Sequence, residues 1–390
     1  MTGDTALCPT SAPSADGYEP PMRLSCWRSE PGCEAAVTDT EWNMTTPVDA
    51  GFTPELDENF EIARQAGTLP NLHGVVATRG GRLFFERYLA GPDAGRSPLG
   101  IVRFGPDILH DMRSVSKSIV GLLYGIALAA GKVPIPQDDI LPQFPEYSDL
   151  ANDSARRSLK IEHALTMTLG IEWDEVVLPY TDPRNGETAM NNAADRYRYV
   201  LDRPIVETPG KCWIYNGGAT ALLARLIEKG TGQKLLDFAR ETLFQPLEIE
   251  KTEWRRGMDG EPIAASGLRM TPRDLARIGT MILAGGAWFG RQVVPAEWLA
   301  ASFAPAISIP DGQKYGYQWY LRTVPMDDGA GGVRSEQAIC AVGNGGQRLF
   351  LMPRLDLVVA VTAGNYNTMN QDDPPMVVLR DVLLPALQAR

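Results

Sequence analysis

An α+β fold is expected here: an antiparallel sheet built from N- and C-terminal strands, packed with helices, plus an inserted mostly helical lobe. Three observations predict it. Two strand-like runs flank Arg79-Gly80-Gly81 early in the chain, and two more flank Pro353-Arg354-Leu355-Asp356 near its end. Between them, apolar residues recur at helical spacing. Residues 73–78 and 82–88 form the first hairpin, and residues 347–352 and 357–362 the second. Helices are expected over 114–130, 160–167, 219–229, 235–243, 272–284 and 295–302, with a closing helix over 377–387. Strands from both hairpins would pair into one sheet, with a cleft beside the helical insertion. The expected organisation is an N-terminal arm (1–55), a sheet lobe (56–110 and 285–390) and a helical lobe (111–284). Residues 174–192, long and polar, have the profile of an active-site lid or a disordered surface loop.

With 390 residues, 44% hydrophobic and 22% charged, the chain can build a large core without covalent staples. Its formal charge of −11 disfavours nonspecific nucleic-acid binding and docking on an anionic membrane, since both need clustered Lys and Arg. A small-molecule substrate fits better. The longest mostly apolar stretch, residues 119–131, is too short to span a bilayer. No basic-then-apolar leader opens the sequence, so a cytoplasmic location is expected. The cysteines, Cys8, Cys26, Cys33, Cys212 and Cys340, are odd in number and are expected as free thiols; Cys26 and Cys33 would pair only in an exported protein. His73, His110 and His163 show no zinc-site spacing.

A serine hydroxyl is a weak nucleophile at neutral pH and needs an adjacent base. Ser114 and Lys117 stand three apart where an apolar helix begins, so both lie on one face and the amine can approach the hydroxyl. Unpaired N–H groups in the first turn favour negative charge there. The alternative for the same residues is a serine cap followed by a solvated lysine. Acting as a base requires burial and cationic neighbours to lower the lysine pKa from about 10.4. There is no Gly-x-Ser-x-Gly elbow, and no histidine has a triad context; His110 is better placed as a packed residue than as a base. Tyr215, in Trp213-Ile-Tyr-Asn-Gly-Gly218 ahead of a helix, would shuttle a proton to a leaving group, the alternative being a core tyrosine. Gly343-Asn-Gly-Gly-Gln347 leads into a strand. Its small residues would let a ligand approach, and the Gln347 N–H would join that of Ser114 in an oxyanion hole. Trp173, Trp213, Trp319, Tyr180 and Tyr317 are candidates for an apolar pocket, with core packing as the alternative.

Ser114-Val-Ser-Lys117, Tyr215-Asn216 and Gly343-Asn-Gly-Gly-Gln347, in that order and at those separations, resemble the three motifs of the serine β-lactamase and penicillin-binding-protein superfamily. The particular look is that of class C-like esterases and 6-aminohexanoate-dimer (nylon oligomer) hydrolases. Segments 163–175, 266–277 and 315–319 agree, so the resemblance covers about residues 60–385. It implies a β-lactamase/DD-peptidase-like fold, an acyl-serine intermediate, and no metal or organic cofactor. It makes Ser114 the nucleophile, Lys117 its base partner, Tyr215 the acid/base residue, and the N–H groups of Ser114 and Gln347 the oxyanion donors. The substrate-binding candidates around them are Asn216, Asn344, Gly345, Gly346, Glu175, Tyr180 and Trp173; Glu175 and Asp174 are candidates to meet a substrate amino group, with solvated loop charges as the alternative.

Two departures matter. Tyr-Asn-Gly stands where many relatives have Tyr-x-Asn, and Asn344-Gly345-Gly346 stands where penicillin-recognising members have Lys-Thr-Gly, which removes the cation for a β-lactam carboxylate. The resulting expectation is a serine hydrolase for small esters or amides. A D-Ala-D-Ala-type peptidase or weak β-lactamase, and a transacylase or non-catalytic acyl-binding protein, are the alternatives. The assembly to look for is a homodimer.

Overall fold

The computed structural model describes residues 42–95, 98–327 and 332–388. Most of the expected N-terminal arm, with Cys8, Cys26 and Cys33, lies outside the described residues. The chain forms two compact units. A mostly helical one comprises Met112–Arg269 and Val293–Leu321; the other, drawn from residues 42–111, Met270–Gln292 and 322–388, carries the large sheet. This division departs from the expected lobe boundaries at two places. Residues 272–283 belong with the sheet, because their apolar face covers it, and residues 293–321 belong with the helices.

The helices used below are α1 (Leu56–Gln65), α2 (Val115–Ala129), α3 (Ile161–Leu165), α4 (Gly186–Asn192), α5 (Arg196–Leu201), α6 (Gly217–Thr231), α7 (Leu235–Ala239), α8 (Pro272–Leu283) and α9 (Ala296–Ser302). In the sheet unit the strands are β1 (Leu72–Arg79), β2 (Arg82–Tyr88), β3 (Tyr320–Asp327, entering this unit at Arg322), β4 (Val333–Gly343), β5 (Gln347–Met352) and β6 (Leu357–Ala363), in the order β3-β4-β5-β6-β1-β2.

Both hairpins form where expected. Gly80 and Gly81 take φ of +58° and +73°, the left-handed region that glycine enters without a Cβ penalty, and Arg79 pairs with Arg82. Asp356 makes the second turn at φ +48°, with Met352 opposite Leu357. The two ends of the chain meet as antiparallel neighbours, Val76 opposite Ala360 and Ala77 opposite Val359. Every residue of β1, β5 and β6 is buried, the polar side chains of His73, Thr78, Arg79, Gln347, Arg348 and Thr362 included, so these strands lack the in-out alternation of a half-exposed sheet. Gly279 lets α8 lie close against β5 and β6, since a Cβ there would sit 2.5 Å from Val358 Cγ1 and 3.0 Å from Leu349 Cδ1. A Thr78–Thr280 hydroxyl hydrogen bond of 2.8 Å fastens β1 to the same helix.

In the helical unit α2 is buried on nearly all sides and packs against α6. Gly125 on α2 is filled by the Trp298 indole of α9, where a Cβ would come within 2.0 Å of the ring; the indole N–H donates to the Gly121 carbonyl at 2.9 Å. α6 has a complete pair of caps. The Asn216 side chain accepts from the Ala219 N–H, and Gly232 closes the other end at φ +72°. The helix expected over 235–243 is α7 followed by a wider π turn, and the closing helix begins earlier than expected, at Asp373.

Among the described residues no helix is long and apolar enough to cross a membrane, and no group of three or more His, Cys, Asp or Glu could hold a metal ion. Cys340 is a buried thiol, its pKa pushed up to about 11 by that burial. Cys212 is disulfide-bonded, which corrects the expectation of a free thiol at that position.

Candidate active site

The turn before α2 sets up Ser114. Arg113 is held at φ +50°, a left-handed conformation unusual for a side-chain-bearing residue. Three hydrogen bonds hold the bend. Ser116 Oγ donates to the Arg113 carbonyl at 2.6 Å and accepts from the Leu268 N–H at 3.1 Å. The Met112 N–H donates to the Leu268 carbonyl at 2.9 Å. Ser114 therefore enters the helix from a sharp, fixed corner.

Lys117, one turn on, is 2% exposed. Its ammonium donates to Ser114 Oγ at 3.0 Å, to Glu175 Oε1 at 3.2 Å and to the Ala265 carbonyl at 3.3 Å. It also lies 4.6 Å from the centre of the Tyr215 ring. Three groups expected from the sequence to act together thus share one cluster in the helical unit. The solvated-lysine alternative is excluded by burial.

Glu175 is the feature that the sequence placed wrongly. It does not stand free to meet a substrate amino group, because its carboxylate is buried as the counterion of Lys117. Oε2 accepts from the Gly217 N–H at 2.6 Å and from Trp173 Nε1 at 3.0 Å, while the Tyr180 hydroxyl reaches Oε1 at 3.4 Å. Trp173, expected to line the substrate pocket, is instead buried and pins this carboxylate. Asp174 is likewise committed, its Oδ1 accepting from the N–H groups of Val176, Val177 and Leu178.

The charges follow from this geometry. Burial alone would lower the pKa of Lys117, but the charges of Glu175, Tyr215 and Glu187 outweigh it and carry the amine above its ordinary range. The condition set for a ready base, burial with cationic neighbours, is not met, because the neighbours are carboxylates: at rest the lysine is an ammonium. Burial raises Glu175 above the usual carboxylate range, Lys117 opposing and Glu187 adding to the effect. Burial also raises the Tyr215 and Tyr180 phenols, which are neutral at ordinary pH.

The 174–192 segment is neither structureless nor an open flap. Asn185 Nδ2 donates to the Leu178 carbonyl, Thr188 Oγ1 to the Tyr180 carbonyl, and the Gly186 N–H to the Asp174 carbonyl; the segment ends as α4, capped by Asn185. Polar side chains spent on local backbone groups look like a loop in sequence. This hid Glu187, which is 1% exposed and accepts a short hydrogen bond from Ser266 Oγ. Ala265, whose contact is made by its carbonyl, left no side-chain signal at all.

Asn216 is 1% exposed and spends its Oδ1 on the α6 cap, at 3.1 Å from the Ala219 N–H. In the sheet unit, Gln347 opens β5, and its side chain donates to the carbonyls of Asn344 (3.2 Å) and Ala363 (2.6 Å). The glycines before it are required by their own turn. Gly345 and Gly346 take φ of +95° and +96°, and a Cβ on Gly345 would lie 2.5 Å from the Tyr366 ring. Asn344 is tied to Asn367 through both its amide nitrogen and its amide oxygen. His73 and His110 hydrogen-bond each other at 2.9 Å within the sheet unit, packed residues rather than bases.

Comparison with known proteins shows the family and the fold. The Beta-lactamase family model matches residues 63–381. The 6-aminohexanoate-dimer hydrolase of Paenarthrobacter ureafaciens is 25% identical over 307 residues, spanning 73% of this chain and 70% of that protein. Two solved structures share the fold. A class C β-lactamase from Rhodobacter sphaeroides has a TM-score of 0.59 at 18% identity, covering 83% of this chain and 97% of the other. A penicillin-binding protein homologue from Caulobacter crescentus has a TM-score of 0.63 at 16% identity, covering 88% and 99%. The chain belongs to the Beta-lactamase family and is a hydrolase of that fold.

Proposed function

We propose that this protein cleaves small carboxylic esters or amides through an acyl-enzyme at Ser114, with Lys117 and Tyr215 moving the protons. The observation that carries the reading is the gathering of one hydroxyl, one amine and one phenol, with Lys117 Nζ 3.0 Å from Ser114 Oγ and 4.6 Å from the centre of the Tyr215 ring. Lys117 must lose a proton before it can accept one. The acceptor in reach is Glu175 Oε1 at 3.2 Å, whose proton affinity is raised by burial. As the Nζ–H bond breaks and the Oε1–H bond forms, the neutral amine takes the Ser114 proton while Oγ bonds to the substrate carbonyl carbon. The carbonyl electron pair moves to oxygen, where the N–H of Ser114 and, by the family pattern, that of Gln347 stabilise it. Tyr215 then protonates the departing alcohol or amine as the carbon–heteroatom bond breaks, and recovers its proton from Lys117. Water repeats the sequence in reverse to free the acid.

Likeness to a 6-aminohexanoate-dimer hydrolase supports the amide side of this reading. Small-molecule substrates, no organic or metal cofactor, no nucleic-acid or membrane partner, and a homodimer as the assembly to test complete it. A fluorophosphonate probe should label Ser114, and Ser114→Ala should abolish turnover of short-chain nitrophenyl esters while leaving the circular dichroism spectrum unchanged. Labelling elsewhere, or full turnover by the alanine variant, refutes the assignment. Matched esters and amides, a D-Ala-D-Ala peptide and a cephalosporin in one screen separate the hydrolase from the peptidase and β-lactamase readings. A cytoplasmic location is part of the same reading. Recovery of Cys212 as a disulfide under thiol-trapping lysis would move the protein to an oxidising compartment.

A further inference from the structure

The segment that supplies the third acceptor for Lys117 is a connection of 255–267, between two short paired strands, Glu253–Trp254 and Leu268–Met270. Within it the chain doubles back: Gly257 N–H donates to the Glu261 carbonyl, Arg256 bridges to Pro262, and Asp259 lies at the tip. Its base is tied by backbone bonds, Ile263 N–H to the Arg255 carbonyl at 2.8 Å and Gly267 N–H to the Ile263 carbonyl at 2.7 Å. A buried arginine on α5 adds a grip on its far end. Arg196 is 1% exposed and grips Asp259 with a bidentate fork, Nε to Oδ2 at 2.6 Å and Nη2 to Oδ1 at 2.5 Å, while Nη1 donates to the Pro262 carbonyl at 2.8 Å. Gly257 makes room for it, since a Cβ there would meet Nη2 at 2.2 Å.

Three residues beyond Pro262 the chain presents the Ala265 carbonyl to Lys117, and four beyond it Ser266 donates to Glu187. Both contacts are buried. Ala265 also abuts Gly217, whose N–H holds Glu175. One guanidinium therefore grips the stretch whose next residues touch Lys117 and donate to Glu187.

We infer that Arg196 and Asp259 form a clamp that positions the 262–266 segment against Lys117, and that the pair governs the acylation rate rather than substrate binding. A planar, two-point grip suits that task because it fixes angle as well as distance, which a lysine or a single hydrogen bond would not. The inference rests on the acyl-serine reading above. Arg198, two residues along the same helix, serves as the internal control: it pairs with Asp149 in a solvent-exposed fork.

The test measures the fluorophosphonate labelling rate at Ser114 and ester kinetics for the native protein and for Asp259→Asn, Arg196→Lys, Arg196→Met and Arg198→Met, with thermal unfolding recorded for each. Displacing a positioned group by about 1 Å costs up to a hundredfold. Asp259→Asn and Arg196→Lys should label and turn over about tenfold more slowly with KM within a factor of two, and Arg196→Met, if it folds, about a hundredfold more slowly. Arg198→Met should match the native rates. If Asp259→Asn and Arg196→Lys lower the melting temperature yet label at the native rate, the pair is merely structural and the inference fails. It fails equally if KM rises while kcat holds. Absence of Ser114 labelling in the native protein is a different result, sinking the acyl-serine reading itself.

Discussion

Glu175→Gln is the most informative single change. The amide keeps the shape of the carboxylate and can still accept from Gly217 or Lys117, but it cannot take a proton from the amine. Over the 3.2 Å separating Nζ from Oε1, the lost attraction is about 5 kcal/mol at an effective dielectric constant of about 20, and without it burial pulls the lysine downward. In the native protein the proton passes inside the pair, so kcat/KM should be flat from neutral pH upward. In the variant the proton must leave to solvent. The rate should then climb about tenfold per pH unit from neutral pH and level off near the native value once Lys117 is an amine, with a loss of roughly ten- to a thousandfold at pH 7. Initial rates of nitrophenyl ester cleavage from pH 6 to 10, corrected for spontaneous hydrolysis, decide the matter. A flat profile at the native level would show that Glu175 accepts nothing; a flat profile far below it would show that the carboxylate matters for placement alone. Stability supplies a second check. Because the native pKa of Lys117 lies above its unfolded value, its contribution is fully present below about pH 10.4 and is lost as pH rises through the folded value. The gap in melting temperature between native and variant proteins should therefore narrow in strong alkali.

Further outcomes follow from the packing. Gly217→Ala would place a Cβ 2.9 Å from Glu175 Oε2 and 3.2 Å from the Ala265 side chain, so it should slow acylation sharply and cost about 1–3 kcal/mol, read by denaturant unfolding alongside labelling kinetics. Gly125→Ala drives a methyl into the Trp298 indole at 2.0 Å and should destabilise by at least as much, shifting tryptophan fluorescence. Asn216→Ala removes the α6 cap and should lose about 1 kcal/mol, with a greater loss of kcat than of KM if the helix start also carries the Tyr215 phenol.

The fold was legible because its signals are local or periodic. Arg79-Gly80-Gly81 marks a hairpin through backbone freedom alone, and the mostly apolar, β-branched centres of β1, β5 and β6 read as interior strands. The Ser114–Lys117 pair was legible for the same reason, since helical spacing alone brings the two together. The partners of Lys117 were not. Glu175 looked like a loop charge because burial against a cation 58 residues away leaves no trace in its neighbours. Trp173 looked like pocket lining because an indole ring and an indole N–H donor are the same letter. Glu187 sat in a segment whose Asn and Asp residues mimic irregular chain by satisfying their own backbone. The direction of the lysine titration was misjudged through the same omission: without the carboxylate, burial is the only influence in view.

The groups surrounding Ser114 Oγ are gathered from distant stretches of polypeptide, the Lys117–Ala265 contact alone bridging 148 positions. The reactivity proposed for that oxygen is accordingly a property of the finished tertiary structure, and on this reading partly folded chains carry an inert alcohol. A covalent phosphonylating reagent would count native molecules in a refolding mixture one by one, reporting the last closure event rather than the recovery of helix or sheet.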